Sequence, residues 1–194
     1  DEKNNRNKDS MGLIEEIILN VVLLGICVFL FNLIAGNSKK FIKIPKFLRW
    51  ILIPFFGLFV MSLATGALRS ALYLFALLLP IEDIPGNIYF YSNIVEPILV
   101  SYSFIWGCVI MTPKFKLEVA YSFGALCVIL YMVIISVYFV FPNTALETYG
   151  SMKTFGLEAS MFWNIVFYLM SIVGVYLAII HLKSASGFFR NDSY

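Results

Sequence analysis

The sequence predicts an all-α, polytopic integral membrane protein with five transmembrane helices, its N-terminus outside and its C-terminus cytoplasmic. Its composition is the first indication, because 60% of the 194 residues are hydrophobic and only 13% are charged, with a mean hydropathy of +0.86. A soluble domain carries about 25% charged residues. The other two indications are five long apolar stretches and the charges that alternate between them.

Each apolar stretch is close to or above the ~20 residues that an α-helix needs to cross ~30 Å of hydrocarbon. The stretches cover roughly residues 14–35, 50–79, 89–111, 119–141 and 161–181. No segment between them is long enough for a second folded domain. We therefore expect a polar N-terminal head at 1–13, one five-helix domain at 14–187 and a short polar tail at 188–194. Met11 is an alternative native start, in which case the residues before it are an addition.

Acidic residues, glycines and prolines predict where the helices begin and end. Glu15 and Glu16 are expected to begin the first helix, because carboxylates stabilise the positive end of the helix dipole. Gly is the usual residue just past a helix end, so Gly36 is expected to end this helix. The remaining boundaries are marked by Pro80, Pro85, Gly86, Pro113, Pro142 and Gly187. The longest connection, 143–160, is expected to lie at the outer surface.

The second apolar stretch is too long for one straight crossing. Residues 47–80 would form a helix of ~51 Å, which exceeds the thickness of the hydrocarbon. Three explanations remain open: a tilted helix, a kink at Pro54, or a helix that extends beyond the outer surface.

The charges of the connections and tails predict the orientation. The first and third connections and the C-terminal tail carry nine basic and two acidic residues, a balance of +7, whereas the other side carries four basic and nine acidic residues, a balance of −5. Cationic loops stay cytoplasmic, and by this rule we expect the protein in the plasma (inner) membrane. The first connection is expected to set orientation and to contact anionic lipid headgroups through Lys39, Lys40, Lys43, Lys46 and Arg49.

Arg69 and Glu96 are charged residues within apolar stretches, where charge is costly. Arg69 follows Arg49 by ~20 residues, or ~30 Å of helix, and Glu96 lies a few residues inside the third stretch, so the two are expected at similar depth. We predict that they contact each other directly or through one water. The pair either locks two helices together or handles a ligand or ion. A further alternative is that Glu96 only caps the start of a helix, because Pro97 follows it.

Small residues share a helical face with each of these charges. Spacings of three and four residues place them on one side of a helix, and small residues let membrane helices approach closely. We therefore predict helix-packing seams, which comprise Ser62, Gly66 and Ser70 in the second stretch and Ser103 and Gly107 in the third.

The sequence predicts no catalytic, cofactor or metal site. His181 is the single histidine and is expected to be a helix-end cation beside Lys183. Three cysteines, Cys27, Cys108 and Cys127, lie in apolar settings without a CxxC spacing and are expected to be reduced packing residues. No phosphate-binding loop occurs, and the net charge of +2 gives no indication of a nucleic-acid partner.

Three functional hypotheses remain. The first is a non-catalytic accessory or scaffold subunit of a larger membrane complex, with the lipid bilayer and other membrane chains as partners. The second is an oligomeric transporter or channel protomer that uses Arg69 and Glu96. The third is a membrane-embedded signalling effector or enzyme. A paired Arg69 and Glu96 favours the first hypothesis, whereas an Arg69 that faces a water-filled cavity or a symmetry axis favours the second.

Overall fold

Five long α-helices make up the computed structural model, which describes residues 2–36, 41, 43–78, 84–140 and 161–189. Side chains are described from Ile14 onwards, except at 77–78, 84–93, 138–140, 161–164 and 185–189. The helices are α1 (Glu2–Gly36), α2 (Lys46–Leu78), α3 (Ile84–Met111), α4 (Lys116–Val140) and α5 (Met161–Phe189). The predicted connection at 143–160 lies outside the described residues.

All five helices are long and apolar enough to cross a membrane. The candidate spans are Ile14–Gly36, Lys46–Ala76, Ile94–Met111, Lys116–Val137 and Ile165–Ser184. The prediction of an all-α chain with five such helices is therefore confirmed. The orientation, with the N-terminus outside, stays a prediction.

Two predicted helix starts are wrong. Helix α1 begins at Glu2 and not at Glu15 and Glu16. The helix dipole acts on charges in the first turn, and these two carboxylates lie well beyond it. Helix α3 begins at Ile84, so Glu96 lies inside the helix and does not cap its start. Pro97 is accommodated in the same helix. In α1 the polar and charged segment before the apolar stretch continues the helix, which hydropathy does not reveal. In α3 the helix includes Pro85 and Gly86, which were expected to mark its boundary.

Helix α3 is the central element of the bundle. It packs against α2 on one side and against α4 and α5 on the other, while α1 packs mainly on α2. Half of an 18-residue apolar stretch of α3 is buried inside the bundle, compared with 11% of such a stretch in α1. The contacts between α3 and α5 advance along both helices, from Ile98 beside Gly174 to Tyr102 beside His181, so these two helices run in the same direction.

The closest approach of α2 and α3 depends on two glycines. A Cβ added at Gly107 would lie 3.0 Å from the Cα of Gly57 and 2.9 Å from the Cβ of Val60. Carbon atoms in van der Waals contact stay near 3.5–4.0 Å, so neither position tolerates a side chain without movement of a helix. Gly107 was predicted as a seam residue from the sequence, whereas Gly57 was not.

The other predicted seam residues have different environments. Ser70 and Ser103 are buried, and Gly66 faces α1, where an added Cβ would lie 3.4 Å from the Sγ of Cys27. Ser62 is exposed and donates a hydrogen bond to the carbonyl of Leu58 in its own helix, at 2.9 Å. The prediction that Ser62 belongs to the seam is wrong, because its side chain is exposed and does not lie between two helices.

Candidate functional site

Arg69 and Glu96 form an ion pair between α2 and α3. The Nε of Arg69 donates to the Oε1 of Glu96 at 2.9 Å, and the Nη2 of Arg69 lies 2.7 Å from the same oxygen. The side chain of Glu96 is 6% exposed and that of Arg69 is 56% exposed. The structure thus brings together the two charges that the sequence placed at similar depth, with the carboxylate inside the bundle and part of the guanidinium at its surface.

The pair lies towards the end of the bundle at which α2 ends and α3 begins. Glu96 is seven residues, or ~10 Å, from the start of the apolar stretch 89–111, and Arg69 is ten residues, or ~15 Å, from the end of the stretch 50–79. Each charge is therefore about one third of the way along its stretch, and the guanidinium has a long apolar stem. The guanidinium can therefore reach polar groups while its stem stays in apolar surroundings.

A second interhelical hydrogen bond extends this region to α1. The hydroxyl of Tyr73 donates to the Oε2 of Glu16. Tyr73 follows Arg69 by four residues, which places both on one face of α2. We call Glu16, Arg69, Tyr73 and Glu96 the polar rim; it joins α1, α2 and α3. This contact was not predicted, because Glu16 was expected only to begin a helix.

The opposite end of the bundle contains a buried arginine. Arg49 is 6% exposed, and it donates from Nε to the carbonyl of Met111 at 3.0 Å and from Nη2 to the carbonyl of Thr112 at 3.1 Å. The last carbonyls of a helix lack intrahelical partners and carry the negative end of its dipole. The prediction that Arg49 contacts lipid headgroups is therefore wrong, because its donors are used to cap α3.

The remaining predicted headgroup residues are lysines. Lys43 and Lys46 are exposed, as a headgroup contact requires, while Lys39 and Lys40 lie outside the described residues. An exposed aromatic residue, Phe115, stands between Lys114 and Lys116 in the neighbouring turn and has a φ of 59°. This end of the bundle therefore presents both ammonium groups and aromatic surface, a combination suited to a membrane interface.

A hydrogen bond joins α3 to α4 inside the bundle, and a contact between two aromatic rings joins α4 to α5. The hydroxyls of Ser101 on α3 and Tyr131 on α4 are 3.0 Å apart, and Ser101 is buried. The ring centroids of Tyr131 and Tyr168 on α5 are 5.8 Å apart. These contacts were not predicted, because a serine or tyrosine in an apolar stretch does not by itself indicate which helix it faces.

His181 also has a role that the sequence did not predict. It was expected to be an isolated helix-end cation, but its Nδ1 is hydrogen-bonded to the hydroxyl of Tyr102 on α3, and the two rings are stacked with centroids 5.8 Å apart. A neutral imidazole and a phenol can each donate or accept here. This contact ties the end of α5 to the middle of α3.

The polar groups described above are suited to hydrogen bonding with a ligand and to the packing of helices. Among the described residues no group of three or more His, Cys, Asp or Glu side chains is arranged to hold a metal ion, and the three cysteines are unbridged. The polar rim offers guanidinium N–H donors beside carboxylate acceptors. Comparison of the chain with known protein families, curated proteins and solved structures finds no match.

Proposed function

We propose that this chain is a non-catalytic membrane protein that serves as an accessory or scaffold subunit of a larger membrane complex. The observation that supports this most is the pairing of Arg69 with the buried Glu96. Two donors of Arg69 converge on one carboxylate oxygen of Glu96, so the buried carboxylate is held by the neighbouring helix. The pair therefore neutralises the charges and joins α2 to α3.

The other interhelical polar contacts support the same proposal. Arg49 caps α3, Ser101 meets Tyr131, and Tyr102 meets His181, so each of these polar groups is used to join two elements of the bundle. In a bilayer, apolar surface gains little by leaving lipid for protein, and such contacts provide much of the packing specificity. A rigid bundle of this kind is suited to hold other membrane chains in place.

Helix α1 provides the surface on which we expect a partner helix to dock. Cys27 faces α2, and the opposite side of α1 is formed by Ile18, Val22, Gly25 and Phe29, all of which are exposed. A Cβ added at Gly25 would have nothing within 4 Å. A small residue flanked by larger apolar ones permits the close backbone approach that membrane helices use. We call this surface the outer face of α1.

A transport or channel protomer is the second candidate. It is favoured by one observation: 56% of the Arg69 side chain remains exposed although Glu96 is buried. If several copies assembled with this side of α2 inwards, the exposed part of Arg69 would line a shared path. Five helices alone rarely enclose such a path, so this candidate requires a homo-oligomer.

Site-specific photocrosslinking in native membranes distinguishes the two candidates. A photoreactive phenylalanine analogue replaces Phe29 on the outer face of α1, or Phe55 on α2 as a matched control, since these residues are 64% and 63% exposed. We expect a discrete product with a different membrane chain from Phe29 and lipid adducts from Phe55. The chain that is crosslinked to Phe29 must also co-purify with this protein in mild detergent, at a fixed ratio of the two chains.

Two results would contradict the subunit proposal. Lipid adducts alone from both positions would show that no partner chain occupies α1. Products between identical chains, together with solute flux in proteoliposomes that an Arg69→Leu/Glu96→Leu variant loses, would establish the transport candidate instead.

A further inference from the structure

The polar rim has unused hydrogen-bonding capacity. The contacts of Arg69 with Glu96 engage Nε and Nη2, and within the described part of the chain Nη1 has no hydrogen-bond partner. Glu16 accepts from Tyr73 through Oε2, and its Oε1 has no partner among the same residues. An arginine presents five N–H donors and a carboxylate about four acceptor sites. Among the described residues, one donor edge of Arg69 and one acceptor oxygen of Glu16 are therefore not used by another group.

The charges of the rim are unequal. Arg69 contributes one positive formal charge and Glu16 and Glu96 contribute one negative charge each, so the rim carries a net charge of −1. Arg69 is paired with Glu96, and Glu16 is exposed and has no basic partner among the described residues. A ligand that complements this arrangement has an anionic group for Arg69 and a cationic donor for Glu16.

Helices α1 and α3 both pack on α2. Away from the rim they also contact each other, since the rings of Phe31 on α1 and Trp106 on α3 are stacked with centroids 5.1 Å apart. At the rim, Arg69 is 56% exposed and Glu16 is exposed, so this end is accessible from outside the bundle.

The rim lies towards the end of the bundle at which α1 and α3 carry their first apolar residues and α2 ends. Glu16 is two residues from the start of the apolar stretch 14–35, Glu96 is seven from the start of 89–111, and Arg69 is ten from the end of 50–79. Below Glu16, the same face of α1 continues as exposed apolar surface, with Leu19 at three and Leu23 at seven residues. A molecule with its polar end at the rim and an apolar chain along these leucines would match both parts of the surface.

We propose that the polar rim binds a phospholipid whose headgroup carries a phosphate and a primary ammonium, as phosphatidylethanolamine does. The phosphate accepts from the free edge of Arg69, and the ammonium donates to the carboxylate of Glu16. Arginine suits phosphate because its planar N–H groups match the phosphate oxygens. A purely anionic headgroup would be repelled by the uncompensated Glu16, and a quaternary ammonium has no N–H to donate.

This inference does not depend on the proposed function. It concerns the side of α1 that faces α2, whereas a partner helix would dock on the outer face of α1. A scaffold subunit, a transporter or a monomer could each carry the lipid site, and the experiment below measures lipid binding to the purified chain alone.

The test is lipid retention on the purified full-length chain, measured by native mass spectrometry. Phosphatidylethanolamine, phosphatidylcholine and phosphatidylglycerol with identical acyl chains are each added to the protein in mild detergent. We expect phosphatidylethanolamine to be retained over phosphatidylcholine by about tenfold, the factor that one charge-assisted hydrogen bond supplies. Phosphatidylglycerol is expected to bind no better than phosphatidylcholine.

Glu16→Gln is the diagnostic variant and Glu15→Gln is its matched control. Both residues are exposed carboxylates on α1, and only Glu16 contacts Tyr73. We expect Glu16→Gln to abolish the preference for phosphatidylethanolamine and to leave retention of phosphatidylcholine unchanged, while Glu15→Gln behaves as the unmodified chain. Arg69→Lys should weaken retention of both lipids, because the phosphate loses a planar donor edge.

The proposal is overturned if the unmodified chain retains the two zwitterionic lipids equally, or if phosphatidylglycerol is retained best. It is also overturned if Glu15→Gln and Glu16→Gln have equal effects, which would show a general dependence on surface charge. Circular dichroism of each variant confirms that the helices are intact, so that a loss of retention reports on the site.

Discussion

Two nitrogen atoms of Arg69 on α2 contact a single carboxylate oxygen of Glu96 on α3: Nε lies 2.9 Å and Nη2 lies 2.7 Å from Oε1. The two sides of the pair are unequal, because Glu96 is buried in the bundle and Arg69 is more than half exposed. Removal of the exposed partner leaves a buried charge, whereas removal of the buried partner leaves a charge that can reach polar surroundings. The stability of single variants should reveal this difference.

Replacement of Arg69 is expected to destabilise the protein more than replacement of Glu96. Arg69→Leu leaves the buried carboxylate of Glu96 without a partner and should lower the free energy of unfolding by about 2–4 kcal/mol. Glu96→Leu leaves an arginine that snorkels, at about 1 kcal/mol. The double variant should be more stable than Arg69→Leu, because it leaves no unpaired charge. Thermal unfolding in detergent provides the comparison. Equal losses in both single variants, with no recovery in the double variant, would contradict this account of the pair.

Arg49 is expected to contribute to stability in a way that the exposed lysines do not. Arg49→Gln removes the charged donors to the carbonyls of Met111 and Thr112, which remain buried, and should cost about 2–3 kcal/mol. Lys46→Gln is the control, since Lys46 is exposed on the same helix and should change stability by about 0.5 kcal/mol or less. Arg49→Lys should recover little, because an ammonium cannot reproduce the planar fork. A stable Arg49→Gln variant would show that the cap of α3 is dispensable.

The glycines at the interface of α2 and α3 are expected to tolerate no side chain. Gly107→Ala places a methyl group 2.9 Å from the Cβ of Val60 and should cost about 1–3 kcal/mol, because the helices must move apart. Gly25→Ala is the matched control: nothing lies within 4 Å of the added Cβ, and alanine favours a helix over glycine by about 1 kcal/mol. The two variants should therefore shift the melting temperature in opposite directions. A neutral Gly107→Ala would mean that the two helices pack less closely than the structure shows.

The orientation can be tested by cysteine accessibility in intact cells. The balance of basic residues predicts that a cysteine at Lys43 is blocked from an impermeant thiol reagent added outside, while a cysteine at Ser151 reacts. The native thiols of Cys27, Cys108 and Cys127 lie within the spans and provide the unlabelled background. The reverse labelling pattern would place the N-terminus in the cytoplasm.

The lysines near α2 are expected to hold anionic lipid and to support this orientation. Replacement of Lys39, Lys40, Lys43 and Lys46 by Gln should weaken association with anionic vesicles by about 1 kcal/mol for each charge near the surface. The same replacements should lower the fraction of chains in the predicted orientation. Retention of both properties would show that this segment only connects two helices.

The helical spans and the relative level of their charges follow from the amino-acid sequence alone. A stretch of about 20 apolar residues has few alternatives to a helix in a bilayer, because every backbone polar group must be bonded within the chain. Counting residues from the span ends then placed Arg69 and Glu96 at one level, and the cost of isolated charge predicted their contact. Both steps use only the rise of a helix and the low polarity of the hydrocarbon.

The choice of neighbouring helices and the buried side of each helix are visible only in the packed bundle. The helices are apolar on most sides, so no polar stripe marked a surface that faces away from the protein, and lipid is as apolar a neighbour as another helix. Gly57, the cap by Arg49 and the contact of Tyr73 with Glu16 could not be predicted for this reason. Each depends on the rotation of one helix against another, which is set by close packing and a few interhelical hydrogen bonds.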